Sequence, residues 1–390
     1  MLARQFAAVV AIVAIMSATT PAGALDSIKI GFVAEFSGMF ADLGRKVDEG
    51  VRLYVKTHGD TIAGKKVEII NKDVGGPLPD VAKRLSQELV TRDNVDILAG
   101  YIATPSALAS VPIATQAKKP MLLVQAATSG ITERSPYVAR LSYTLAQVAA
   151  PLGTWAAKNG IKTVFSLVAD FGPGYDAEAA FTKAFTAGGG QVIGGARIPL
   201  ASLEMGPFLQ RARDAKPDAV FAFVPAGVMG IAFMKTFAER GLAAAGIKLI
   251  TTGDVVSDSV LDAVGDSALG VISSHHYSVA HDSPENKAFV KAWQDMYGAD
   301  TRPDFIGMQA YDTMATIYEI GKRLNGVIDA DKFMANLKGF KLASPRGPIE
   351  IDAQTRNVIQ TIYIRRVEMR NGRLYNIEFD KSPGASSSPN

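Results

Sequence analysis

The sequence predicts an α/β fold: two lobes of similar architecture, each built on a mostly parallel sheet. Three observations predict it. Strand-like and helix-like stretches alternate almost without a break, the mark of βαβ units. The alternation then restarts near "KTVFSLVAD" and repeats the same signature. The chain has 390 residues, 48% of them hydrophobic and none of them cysteine, so it suits two large cores held without disulfides.

In the first series "SIKIGFVAE" (27–35) reads as a strand. "DLGRKVDEGVRLYVKTHG" follows, with Val47, Val51, Tyr54 and Val55 at helical spacing, Asp42 as N-cap and Gly59 as stop. "KKVEIINKD" is a strand, and "DVAKRLSQELVTRD" puts Val81, Leu85 and Leu89 on one helix face. "VDILAG" is the next strand, Pro105 opens a helix, and "PMLLVQA" is another strand. The second series runs through "KTVFSLVAD", "YDAEAAFTKAFTAGGG", "QVIGGARIPL", "GPFLQRARDAKP", "DAVFAFVPA", "GVMGIAFMKTFAERG" and "IKLITTGD". "GVISSHHYS" (270–278) resumes a strand and two helices follow. The last part reads as a β meander with an "RNG" turn, and the tail 381–390 as disordered.

Residues 1–24 stand apart. Arg4 gives a positive start, an apolar run spans Phe6 to Met16, and Ala22-Gly23-Ala24 fits a cleavage site. This is a secretory signal peptide; a membrane anchor would need a longer run, about 20 residues. The mature protein is expected to begin near Leu25, outside the cytoplasm.

The net charge of +3 comes without a basic stripe, which argues against nucleic-acid binding. Without cysteine, thiol catalysis, Fe–S clusters and Cys-ligated zinc are excluded. "DFG" at 170–172 lacks every other kinase element, and "GGGQVIGG" reads as a helix terminator with a turn. His275 and His276, on one strand, are expected to point to opposite faces and not to converge on a metal. There is no HExxH and no G-x-S-x-G. No cofactor and no enzymatic activity are expected.

Ligands in open α/β sheets bind outside the carboxyl ends of the strands. Here those ends carry Ser37, Thr104, Thr128 and Ser129 in loops that enter helices. Hydroxyls beside helix N–H groups suit a carboxylate; the same residues read equally as helix caps. Ala126 and Ala127 keep bulk away from a backbone that a ligand approaches. Phe40, Tyr101, Phe171, Tyr175 and Tyr277 are candidates for holding an apolar body. Asp254 is the one carboxylate alone at a strand end, after "TTG"; the alternative is that it bonds turn amides.

Taken in order, "IKIGFVAEFSGMFADLGRKVDEGVRL", "AGYIATPSALA", "PMLLVQAATSGITE", "SPYVARLSYT", "DFGPGYDAEAAF", "RARDAKPDAVFAF" and "TTGDVVSDSVL" to "GVISSHHYS" resemble the periplasmic solute-binding proteins of ABC importers, in the Leu/Ile/Val-binding branch. The resemblance spans about 27–380. It implies the type I periplasmic binding fold, two Rossmann-like lobes joined by three hinge crossovers near 140–145, 268–274 and 341–348. Lobe 1 is then 25–142 plus 272–345, and lobe 2 is 143–271 plus 346–380. It implies a ligand trapped by hinge closure and delivered, from a monomer in the periplasm, to a permease and ATPase complex. The carboxylate-binding hydroxyls fall on Thr104 and Thr128 with backbone from Ala126, the loop aromatic on Phe171, and the ammonium partner on Asp254. Leu43 stands where a tyrosine is usual, the cysteine pair of some members is absent, and the second-lobe aromatic has no counterpart near Pro225 and Met229. The implied ligand is a branched-chain or other apolar amino acid; the alternatives are an aromatic carboxylate, an amide or urea-type solute, or a sensing role without transport.

Overall fold

The computed structural model describes residues 27–200 and 202–385; the expected signal peptide lies outside them. The first sheet comprises β1 (Ile28–Ala34), β2 (Thr61–Ile62), β3 (Lys65–Asp73), β4 (Ile97–Gly100), β5 (Met121–Leu123) and β6 (Val138–Arg140), in the order β2-β3-β1-β4-β5-β6. All pairings except β2 with β3 are parallel. The expected helices connect them: α1 (Ala41–His58), α2 (Pro79–Thr91) and α3 (Thr104–Ala117).

Val47, Val51 and Tyr54 of α1 are buried, as their spacing requires. Gly59 ends the helix at φ +86°, a backbone conformation that favours glycine. Asp42 is not the cap. A 3-10 turn at Gly38–Phe40 feeds the helix directly, and the Asp42 carboxylate pairs instead with Arg45.

Between Arg140 and Leu145 the chain crosses to the second sheet. Its helices are α4 (Leu145–Lys158), α5 (Gly172–Ala187), α6 (Gly206–Ala215), α7 (Val228–Glu239) and the short α8 (Leu261–Val264). Its parallel strands are β7 (Thr163–Ala169), β8 (Gln191–Ile198), β9 (Ala219–Phe223), β10 (Lys248–Thr252) and β11 (Ile272–His275). β7 and β9 are buried almost throughout, which explains their unbroken apolar runs.

The second crossover falls later than expected. Ile272–His275 is hydrogen-bonded between β10 and the antiparallel β14 (Val358–Arg370), so 272–275 belongs to the second sheet and the chain leaves it only after His275. Then α9 (Pro284–Tyr297) and α10 (Phe305–Arg323) pack on α1 of the first lobe. Gly50 and Gly307 let α1 and α10 meet: a Cβ on Gly50 would stand 2.1 Å from the Gly307 carbonyl oxygen.

After α11 (Ala330–Leu337), the hairpin β12 (Lys341–Ser344) and β13 (Gly347–Ile351) leads back to β14. Buried Arg346 ties the passages together. Its guanidinium bonds the Asp312 carboxylate of α10, the carbonyls of Leu141 and Ser142, and Gln360 of β14. β14 pairs with β15 (Arg373–Ala385) through a turn with Asn371 at φ 51° and Gly372 at φ 77°, the two positive values a tight hairpin needs. The tail is therefore ordered further than expected: residues 381–385 continue the strand, with Ser382 opposite Ile362.

Candidate functional site

The carboxyl ends of the two sheets face each other across a cavity with an empty volume of about 410 Å³, its open mouth included. Phe40, Leu43, Ile102, Ala103, Gln125 and Ala127 line it from the first lobe. Phe171, Pro173, Phe223, Pro225, Ala226 and Asp254 line it from the second, with Leu145 at the crossover. The Phe171 and Phe223 rings are near-parallel with centroids 6.1 Å apart. The walls are thus mostly apolar, with Gln125 and Asp254 as the polar side chains, the usual make-up of a small-molecule site.

Local structure puts these groups in place. Tyr101, the residue after β4, takes φ 62°, and the chain beyond it brings Ile102 and Ala103 to the cavity wall. Buried Glu35, just after β1, receives the N–H groups of Ile102 and Ala103 at 3.2 and 3.3 Å and the Ser106 hydroxyl at 2.7 Å. These amides, expected to be free for a ligand, are occupied by the protein's own carboxylate. Burial pushes Glu35 above the usual carboxylate range, with Ser106 and the two amides pulling it back.

Thr104 and Thr128 meet, their hydroxyls 3.0 Å apart. Across the gap Gly172 leaves just enough room: a Cβ there would stand 2.7 Å from Thr128 Oγ1. The Ser129 N–H donates to Asp176 of α5 at 2.5 Å. The last two contacts bridge the two lobes.

Asp254 is buried and its carboxylate is already bonded. The Tyr143 hydroxyl donates to Oδ1 at 2.5 Å and the Thr252 hydroxyl to Oδ2 at 3.0 Å. Burial raises it to about 6, against the pull of these donors. His275 Nε2 lies 3.8 Å from Oδ2. Burial and the Arg365 charge push His275 well below its ordinary range, so it is neutral. Gln125 donates to the Tyr143 hydroxyl at 3.2 Å, and its buried Oε1 has no hydrogen-bond partner among the described residues.

Of the ten residues expected at the site, Phe40, Ala127, Phe171 and Asp254 line the cavity. Thr104 and Thr128 form a hydroxyl pair, each next in sequence to a lining residue, Ala103 and Ala127. The other four point elsewhere. Tyr101 is buried on the far side of the first sheet, its hydroxyl 2.9 Å from Ser86. Ala126 faces the same cluster, and its amide is spent on the Tyr101 carbonyl. Tyr175 is 41% exposed, bonded to Asp170 with Arg197 over its ring. Tyr277 is buried with its hydroxyl on Asn286. His275 and His276 do not diverge either: β11 ends at His275, the chain turns, and the rings lie 4.4 Å apart. Sequence reasoning missed Gln125, Tyr143 and Phe223. Their signal was weak, a polar residue in a buried strand end and a tyrosine in a crossover segment without periodicity.

With this geometry in hand, the profile of the periplasmic binding protein family matches residues 27–373. The chain belongs to that family. As a periplasmic binding protein it has near relatives of two kinds. The Leu/Ile/Val-binding protein homolog 6 of Brucella melitensis is 41% identical over 366 residues, 94% of each chain. The solute-binding protein of an ABC transporter from Rhodopseudomonas palustris BisB5, solved with 3,4-dihydroxybenzoic acid, is 50% identical with a TM-score of 0.90, covering 93% of this chain and 99% of that one. A second from R. palustris, solved with 4-hydroxybenzoate, is 41% identical with a TM-score of 0.89, covering 93% and 98%. A leucine-binding protein of Thermotoga maritima, 21% identical with a TM-score of 0.79, shares the two-lobe type I fold. Among the described residues of this periplasmic binding protein no helix is long and apolar enough to cross a membrane.

Proposed function

We propose that the chain is the extracytoplasmic solute-binding subunit of an ABC importer, and that its solute is a small aromatic carboxylate of the hydroxybenzoate class. The carrying observation is the cavity wall. Phe40, Phe171 and Phe223 with Pro173 and Pro225 offer flat apolar faces to a ring. At one end Thr104, Thr128 and the Ala127 backbone receive the carboxylate. At the other, Asp254 and the unpartnered Gln125 Oε1 accept from a ring hydroxyl. The 50% and 41% identical relatives that were solved with hydroxylated benzoates support the same reading. Hinge closure over the ring follows from ligand contacts made to both lobes, which favour the closed state. The protein binds and releases without chemistry.

A branched-chain amino acid is the second reading, favoured by a carboxylate in the cavity and by the Brucella relatives. Against it, Asp254 already carries two hydroxyl donors, which leaves its carboxylate room for the single O–H of a phenol more readily than for the three N–H groups of an ammonium.

Calorimetry on Thr104→Ala and Thr128→Ala tests the carboxylate end. Loss of one hydrogen bond to a charged group should weaken 4-hydroxybenzoate about tenfold to a hundredfold. Unchanged affinity in both variants would place the carboxylate elsewhere.

A further inference from the structure

Arg140 closes β6 and is fully buried. Its Nη2 donates to the Thr128 carbonyl at 2.5 Å, while Nε and Nη1 have no hydrogen-bond partner among the described residues. Among the described residues no carboxylate lies within ion-pair distance of it. This sets it apart from Arg346, also fully buried, whose Nη2 stands 2.9 Å from Asp312. The carboxylate whose charge acts on Arg140 is that of Asp176, which is engaged across the cleft by the Ser129 amide. Burial pushes the guanidinium down to about 10. A buried cation without a counter-charge is expensive. Here the cost falls directly behind the threonine pair.

We infer that Arg140 is the positive charge that the ligand's carboxylate balances, a specificity residue that selects anions over neutral solutes of the same shape. This rests on the reading that the ligand is an acid. Arg140 acts through Thr128, whose carbonyl it holds and whose hydroxyl faces Thr104, and through its field in a poorly screened site. A bound monoanion then compensates the guanidinium and stabilises the liganded form.

The test is calorimetry on the mature wild type, Arg140→Gln, Arg140→Lys and Asp176→Asn, with 4-hydroxybenzoate and its neutral isostere 4-hydroxybenzamide. Arg140→Gln should lose at least about tenfold more affinity for the acid than for the amide, and Arg140→Lys should restore most of that preference. Asp176→Asn removes the opposing negative charge from a partly exposed position and should raise the acid-to-amide preference. That arm decides the matter if Arg140→Gln does not fold. Should the wild type bind leucine instead, leucine against leucinamide carries the same comparison, so an error in ligand class leaves the charge test intact. Equal losses of acid and amide, or a preference that Asp176→Asn leaves unchanged or lowers, would overturn the inference.

Discussion

The Tyr143 hydroxyl donates to Asp254 Oδ1 at 2.5 Å. A residue of the crossover segment is thereby bonded to the carboxylate that lines the cavity from the second lobe. The bond opposes the rise that burial imposes on Asp254. Tyr143→Phe should therefore lift the Asp254 carboxyl above about 6. If a ring hydroxyl donates to ionised Asp254, 4-hydroxybenzoate affinity should fall as pH drops through about 6, and Tyr143→Phe should move that fall upward. At neutral pH the variant should bind about tenfold more weakly. Benzoate, with no hydroxyl, should show neither effect. Burial holds His275 well below its ordinary range, and benzoate meets the same raised Glu35 carboxyl, so the difference between the two acids reports Asp254. Calorimetry across pH 5 to 8 with both acids checks it.

The same shift carries a stability prediction. A carboxyl whose folded pKa is raised contributes stability that is present below its unfolded value, near 3.8, and lost as pH rises through about 6. Asp254→Asn removes that penalty. Relative to wild type, the variant should gain on the order of 2 kcal/mol between pH 4 and pH 8. Urea unfolding at the two pH values measures it; a constant difference would contradict it.

Gly172 faces Thr128 where a Cβ would come within 2.7 Å of the hydroxyl. Gly172→Ala should hold the lobes apart and weaken every ligand about tenfold or more, while ligand-free thermal stability changes little. Small-angle scattering with saturating ligand should show a smaller compaction than wild type. Full compaction with unchanged affinity would contradict this account of closure.

The alternation of elements, their order and the helical faces were legible because burial imposes period and composition on strands and helices. Phe40, Phe171 and Asp254 were legible because they sit at strand ends, where an open α/β sheet builds its sites. Side-chain direction was not. Tyr101 occupies a left-handed backbone position that sends its ring behind the sheet, and Tyr277 follows a strand end whose turn buries it. Arg140 ends the three-residue β6 and Tyr143 lies in the crossover after it, both too short for a periodicity, so only their polarity within "YVARLSYT" marked them. Glu35 shows the other limit: an amide-rich helix start looked open to a ligand, and a carboxylate distant in sequence from that helix had filled it.

The most direct test of the ligand class is calorimetric titration of the mature protein with 4-hydroxybenzoate, 3,4-dihydroxybenzoate, benzoate and leucine under identical conditions. One-to-one saturation by the aromatic acids, tightest for those bearing a hydroxyl, with no heat from leucine, is the predicted result. Saturation by leucine with no binding of any benzoate would contradict it.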